Sequence, residues 1–183
     1  MQATENLKEE HKAIKVMLQI LDKVCQKLEA GEKVNPDHLA QTVDFIKVFA
    51  DKCHHGKEED ALFPALVAVG IPKERGPVGV MLIEHNKGRD YVKGMSEAVA
   101  EYSKGNRQAS AKFVENAKNY IALLSQHIDK EETVLFPMGN ARLSKETQAK
   151  LSEEFERIEN ERIGPGKHEE LHILLHRLNE IYG

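Results

Sequence analysis

The sequence predicts an all-α fold: an up-down-up-down four-helix bundle over residues 1–138, followed by a C-terminal helical appendage, 139–183, packed on it. Three observations predict it. Apolar residues recur at alternating steps of three and four in four long segments, which puts them on one face of a helix. The connections between those segments are short, so consecutive helices should be antiparallel neighbours. The composition is 31% charged and only 5% aromatic, with no Trp, which suits amphipathic helices better than strands.

The first stripe reads Leu7, His11, Ile14, Leu18, Leu21, Cys25 and Leu28, and its helix ends near Ala30-Gly31. Asn35-Pro36-Asp37 starts a second helix with Pro in its first turn. Its inner face is Leu39, Val43, Ile46, Ala50, His54, Glu58, Ala61 and Ala65, and Pro64 is expected to kink or finish it. After a turn at Gly70-Ile71-Pro72, a third stripe runs Val78, Leu82, His85, Arg89, Val92 and Val99 up to Lys104-Gly105-Asn106. The fourth is Phe113, Ala117, Tyr120, Leu124, His127, Glu131 and Val134, before Pro137. A polar helical stretch (144–161), a break at Gly164-Pro165-Gly166 and a last helix (168–182) make up the appendage.

Several function classes are excluded at this level. A formal net charge of -4 arises from interspersed acids and bases, without the basic stripe that phosphate backbones attract, so no nucleic-acid partner is expected. The longest apolar run, ALFPALVAVGIP, falls short of the roughly 18 residues a membrane span needs. The opening MQATENLKEEHK lacks the layout of a secretory signal, and the expected location is cytoplasmic. Two cysteines make no disulfide framework. Cys25 lies about 21 Å along its helix from His11, too far from the level of Cys53 for a bridge.

The nine histidines are the compositional oddity, and a repeat organises them. Residues 54–64 and 127–137 share the frame H-x-x-K-E-E-x-x-L-F-P. Glu10-His11 precedes His54 by 43 residues and Glu84-His85 precedes His127 by 42, so the chain reads as a duplicated two-helix unit. Residues i and i+4 of a helix share a face, so His54 and Glu58, and His127 and Glu131, each aim an imidazole and a carboxylate at one spot. All six residues, His11, His54, Glu58, His85, His127 and Glu131, fall on inward stripes, where an uncompensated carboxylate costs several kcal/mol. Two cations would compensate them, each taking two imidazoles from its own half, with Glu58 and Glu131 bridging. Mixed nitrogen and oxygen donors favour iron, manganese or zinc over calcium or magnesium. The doublet His54-His55 allows two registers, and the repeat selects His54 with Glu58, because Ile128 stands opposite His55. His55 is therefore expected outside the ligand set, and Glu59 and Glu132 are expected to orient ligand imidazoles.

On these residues the chain resembles the hemerythrin-like, HHE cation-binding family over roughly residues 5–138. The resemblance implies a non-haem di-iron centre (two iron ions bridged by Glu58, Glu131 and an oxo or hydroxo group), and reactions with O2, NO or peroxide. In the oxygen-carrying members a second histidine follows one turn after that of the third helix, where this chain has Arg89, and an aspartate closes the site five residues after the histidine of the fourth helix, whereas here the pattern ends with Glu131, before Thr133. The symmetric set of four histidines and two glutamates is more similar to iron-centre repair proteins and iron-sensing domains. The expected function is binding or sensing O2, NO or iron. The alternative is a di-iron oxidoreductase or repair protein acting on NO or peroxide, and a third class is a bundle that metals merely stabilise.

Single features elsewhere carry plainer readings. His168, His172 and His176 share one face beside Leu171 and Leu175 and are expected to pack or face solvent. Met17, Met81, Met95 and Tyr91 read as core filler. Cys53 reads as a buried structural thiol, and His38 is too far along its helix to join the site.

Overall fold

The computed structural model describes residues 2–183, which are helical throughout apart from short connections and contain no strand. Helix α1 is Ala3–Glu29, ended by Gly31 in the left-handed conformation (φ 77°) that glycine adopts without strain. Helix α2, Pro36–Phe45, is capped by the Asn35 side chain, which accepts from the Asp37 N–H. It continues without a break into two π-helical segments, π1 (Ile46–His55) and π2 (Glu58–Leu62), and then α3 (Phe63–Ala68). Helix α4 is Pro77–Ser103 and α5 is Ala109–Lys130, the latter continuing through π3 (Glu131–Leu135) into α6 (Phe136–Arg142). Helices α7 (Lys145–Arg162, capped by Ser144) and α8 (Lys167–Tyr182) complete the chain.

The most extensive packing is α4 on α5, followed by α1 on α5, and α2 and π1 lie against α4. Two apolar clusters fill the interior. One holds Ile14, Leu21, Phe45, Phe49, Met95 and Tyr120; the other holds Leu7, Leu62, Phe63, Met81, Leu135 and Phe136. Helix α1 runs from the second cluster to the first, the α2–α3 run returns, α4 goes forward again and the α5–α6 run returns. Between the two clusters each run contributes the polar residues of the repeat.

Three details depart from the sequence expectation, and two of them trace to the π segments. Neither Pro64 nor Pro137 ends its helix, which continue to Ala68 and Arg142. Each proline stands one residue after a π-type bond (Phe63 N–H to Glu58 O, Phe136 N–H to Glu131 O), where pairing changes from i−5 to i−4 and a residue lacking an N–H fits the change. Beyond Glu131 the inward position is Leu135, not Val134, which is half exposed, because the wider π turn delays the return of the inner face by one residue. In α4 the buried line is Val78, Met81, His85, Gly88, Val92 and Met95, with Leu82 and Arg89 at its margin.

Helix α8 packs on α1 and α2, and α7 on α1, π1 and π2. Leu171, Leu175, Leu178 and Tyr182 are part of the first apolar cluster. Leu178→Ala, at a position with no exposed surface, is expected to lower unfolding free energy by about 2–5 kcal/mol in a single urea transition. Loss confined to α8, with the rest of the transition unmoved, is the contrary result.

Candidate metal centre

The duplicated segments meet at one level, between the two apolar clusters. All six residues singled out from the repeat are there, none more than 1% exposed. Their donor atoms form two groups, each within 4.8 Å: His11, His54, Glu58 and Glu131 in one, and His55, Glu58, His85 and His127 in the other. Each carboxylate spans the two halves of the repeat. Glu58 sets Oε1 3.3 Å from His54 Nε2 and Oε2 3.2 Å from His85 Nε2. Glu131 sets Oε1 3.2 Å from His127 Nε2 and Oε2 3.2 Å from His11 Nε2.

With the rings neutral, none of these short approaches is a hydrogen bond. The other ring nitrogen of each histidine is committed: Nδ1–H of His11 donates to Glu132 (2.9 Å), of His54 to Glu10 (2.8 Å), of His85 to Glu59 (2.7 Å) and of His127 to Glu84 (2.8 Å). A proton held on Nδ1 leaves Nε2 with a lone pair. Lone pairs therefore face lone pairs, and all four oxygens of Glu58 and Glu131, with His11 Nε2, lack a partner. His85 and His127 also oppose Nε2 atoms at 3.1 Å. Two donors bound at right angles to one first-row cation at ~2.1 Å would lie about 3 Å apart, so these separations are those of atoms sharing an ion. The residues fit a pair of cations.

The carboxylates that orient the imidazoles are themselves held by cations. Lys57 grips Glu10 at 2.5 Å, Lys130 pairs with Glu84, Lys15 bonds Glu132 at 2.9 Å, and Arg89 bonds Glu59 at 2.8 Å. Lys57 and Lys130 sit three residues after their histidines, and Lys15 and Arg89 four after theirs, so this outer layer is duplicated too. The copies differ at Lys57, which is buried and reaches Glu159 of α7 at 2.7 Å; Glu159 in turn accepts from His168 of α8 at 2.9 Å.

Electrostatics follow the geometry. Burial works against a charged ring at His54, but Glu58 and Glu10 outweigh it and push its pKa up to about 10. Burial is likewise overcome at His127 by Glu131 and Glu84, again to about 10. Glu58 is held well below the carboxylate range in spite of burial, by His54 and His85. Burial drives both Cys25 and Cys53 up to about 12, which leaves them as inert thiols.

His55 is what the repeat concealed. It is buried, its ring stacks on His85 (centroids 3.8 Å apart, 17° between planes), Nδ1 faces Asp51 at 3.3 Å and Nε2 has no partner. Ile128, its counterpart in the other half, is core. The signal available in the sequence was the run Ile46, Ala50, His54, Glu58, three successive steps of four, a longer period than an α-helix keeps. In a π turn neighbouring residues are separated by less than the roughly 100° of an α-helix, so His54 and His55 both turn inward. Glu59 and Glu132 orient imidazoles as expected. His168 and His172 lie against Phe49, and His176 is exposed; the three form no metal-binding group among the described residues.

Fold and site thus define an all-helical protein with a buried, duplicated histidine–glutamate cation site. The chain belongs to the hemerythrin HHE cation binding domain family, whose profile matches residues 2–139. It is 28% identical over 165 residues to uncharacterised proteins of Mycobacterium bovis and Mycobacterium tuberculosis, covering 88% of this chain. The alignment spans 63% of the length of those relatives. No solved structure matches it.

Proton and metal compete for the same atoms, which fixes the sign of a pH effect. Without metal, His54 and His127 titrate near 10 in the fold against an ordinary 6.5, so their stabilisation is full below pH 6.5 and is lost as pH rises through 10. Melting temperatures of chelator-treated protein should fall across that interval, while the increment from added metal should grow. A chelated protein whose Tm rises from pH 6.5 to 10 contradicts this assignment of charge.

Proposed function

We propose that the chain holds a carboxylate-bridged pair of iron ions and uses it to bind or sense O2, NO or iron. The proposal rests above all on Glu58 and Glu131, two fully buried carboxylates with no hydrogen-bond partner, each spanning histidines from both halves. His11 and His54 would hold one ion, His85 and His127 the other, and His55 is placed to join the second group. Manganese or zinc would suit the same donors. When bound, paired iron supplies reversible or reductive chemistry toward O2, NO or peroxide.

The chain's own part is preorganisation. Glu10, Glu59, Glu84 and Glu132 lock the imidazoles in the Nδ1–H tautomer, and four cationic side chains keep those glutamates charged and in place. Glu59 Oε1 meets both His85 and Arg89, which holds the carboxylate outside the two donor groups. That favours an accessible centre over a purely structural one. The alternating traverse of the two apolar clusters supports an up-down-up-down bundle over 1–138, with 139–183 bracing it through Glu159. No described helix is long and apolar enough to cross a membrane, in keeping with a cytoplasmic setting.

Elemental analysis after anaerobic ferrous loading should give about two iron per chain. Glu58→Ala or Glu131→Ala should halve that ratio or worse, because each removes a ligand of both ions. Exposure of the loaded protein to O2 and to NO should change its ultraviolet-visible and electron paramagnetic resonance spectra. A loaded centre indifferent to both gases argues against the sensing role, and repeated turnover of NO or peroxide with a reductant would make it an oxidoreductase.

A further inference from the structure

Beside the second donor group lies a cavity of about 380 Å³ between π1 and α4. That is an order of magnitude more than the ~30 Å³ share of one water, and it reaches the size range in which organic ligands are held, roughly 300–1,000 Å³. A diatomic gas does not need it. Its inner end is His55, His85 and Tyr120; its middle is Ile46, Gly88 and Val92.

At the inner end His55 and Tyr120 are both at least nine-tenths buried, and His55 Nε2, which belongs to the second donor group, has no partner. Gly88, in the middle, is where α4 comes close to α5: a Cβ there would sit 3.5 Å from Tyr120 and 3.8 Å from Leu123 and Leu124.

The outer end selects charge. Lys47, Arg89 and Lys93 stand there with Asp51 and Glu97. Both acids are already neutralised, Asp51 by Arg89 at 2.8 Å and Glu97 by Lys112 at 2.8 Å. Lys47 is held only by the neutral Ser96 hydroxyl at 2.8 Å, and Lys93 makes no ion pair among the described residues. The net field at the mouth is therefore positive, above an apolar shaft.

We propose that this cavity binds a medium-chain organic monocarboxylate, its head at Lys47 and Lys93 and its apolar body running inward along Ile46 and Val92. The complementarity is that of a single anionic head on an apolar chain, and binding needs no cation in the centre. An occupant would end against the second donor group, so the cavity would present an organic molecule to whatever that group holds.

The test is calorimetric titration of octanoate, and of 1-octanol as the neutral analogue, into the full-length protein, with metal content measured on the same samples. Saturable one-site octanoate binding is expected, at least tenfold tighter than octanol. The Lys47→Ala/Lys93→Ala double variant should weaken octanoate at least tenfold and leave octanol unchanged. Circular dichroism and Tm of the double variant identify any failure to fold. No saturable octanoate binding overturns the proposal, as does octanol binding equally well or a lysine variant that binds octanoate normally. Saturable binding by a metal-free sample supports the cavity even if the di-iron reading fails, and iron uptake without octanoate binding separates the two the other way.

Discussion

Everything in this fold is arranged around two carboxylates that have given up water without gaining a proton donor. Glu58 and Glu131 are wholly buried and their oxygens face imidazole lone pairs at 3.2–3.3 Å. Leaving a buried charge unpaired costs several kcal/mol, a large fraction of the 5–15 kcal/mol by which a domain is stable. Four imidazoles clamped in one tautomer cannot relieve it by donating. Only positive charge between them can, either protons, which the raised pKa values of His54 and His127 reveal as the default without metal, or metal ions that displace them.

The position of that charge dictates the rest of the packing. The polar level divides the interior into two apolar clusters, one on either side along every helical run. Outward from the centre, charge alternates: carboxylate bridge, imidazole, carboxylate, then lysine or arginine. Each layer fixes the one inside it, so the imidazoles are aimed before any ion arrives, and the cost of ordering them is met in folding rather than in binding.

Much of this was legible in the sequence because it depends on local periodicity. The H-x-x-x-E pairs are set by the geometry of a helix, and the repeat identified both copies at once; the lysines of the frame H-x-x-K-E-E proved to be the cations that hold Glu10 and Glu84. Apart from Leu82 and Arg89 at the margin of α4, the errors share a physical origin. A stripe drawn at 3.6 residues per turn runs correctly along α1 and through α5 to Glu131, and it fails where backbone pairing widens to i−5. There Leu135 replaces Val134 on the inside, the two prolines pass without ending their helices, and His55 turns in beside His54. The sequence displays this widening only as a slightly long period, the steps of four from Ile46 to Ala50, His54 and Glu58.

Duplication would by itself make two equivalent half-sites, and this chain has made them unequal with few changes. In the first half, Lys57 is buried because Glu159 of α7 meets it, and His168 of α8 meets Glu159, so the group around His54 is sealed by the C-terminal helices. In the second half, the corresponding Lys130 faces solvent, and the group around His85 is instead bordered by His55 and a cavity. Ile128, where the first half has His55, is packed in the core with no room for a ligand. Arg89 completes the difference. One turn after His85 it ties Asp51 and Glu59 together, and Asp51 faces Nδ1 of His55, so the residue that displaces a histidine from the third helix also steadies a histidine supplied by the second. An open side at one donor group and a sealed side at the other is the condition under which a bridged pair of ions, once bound, would meet an outside molecule at a defined end.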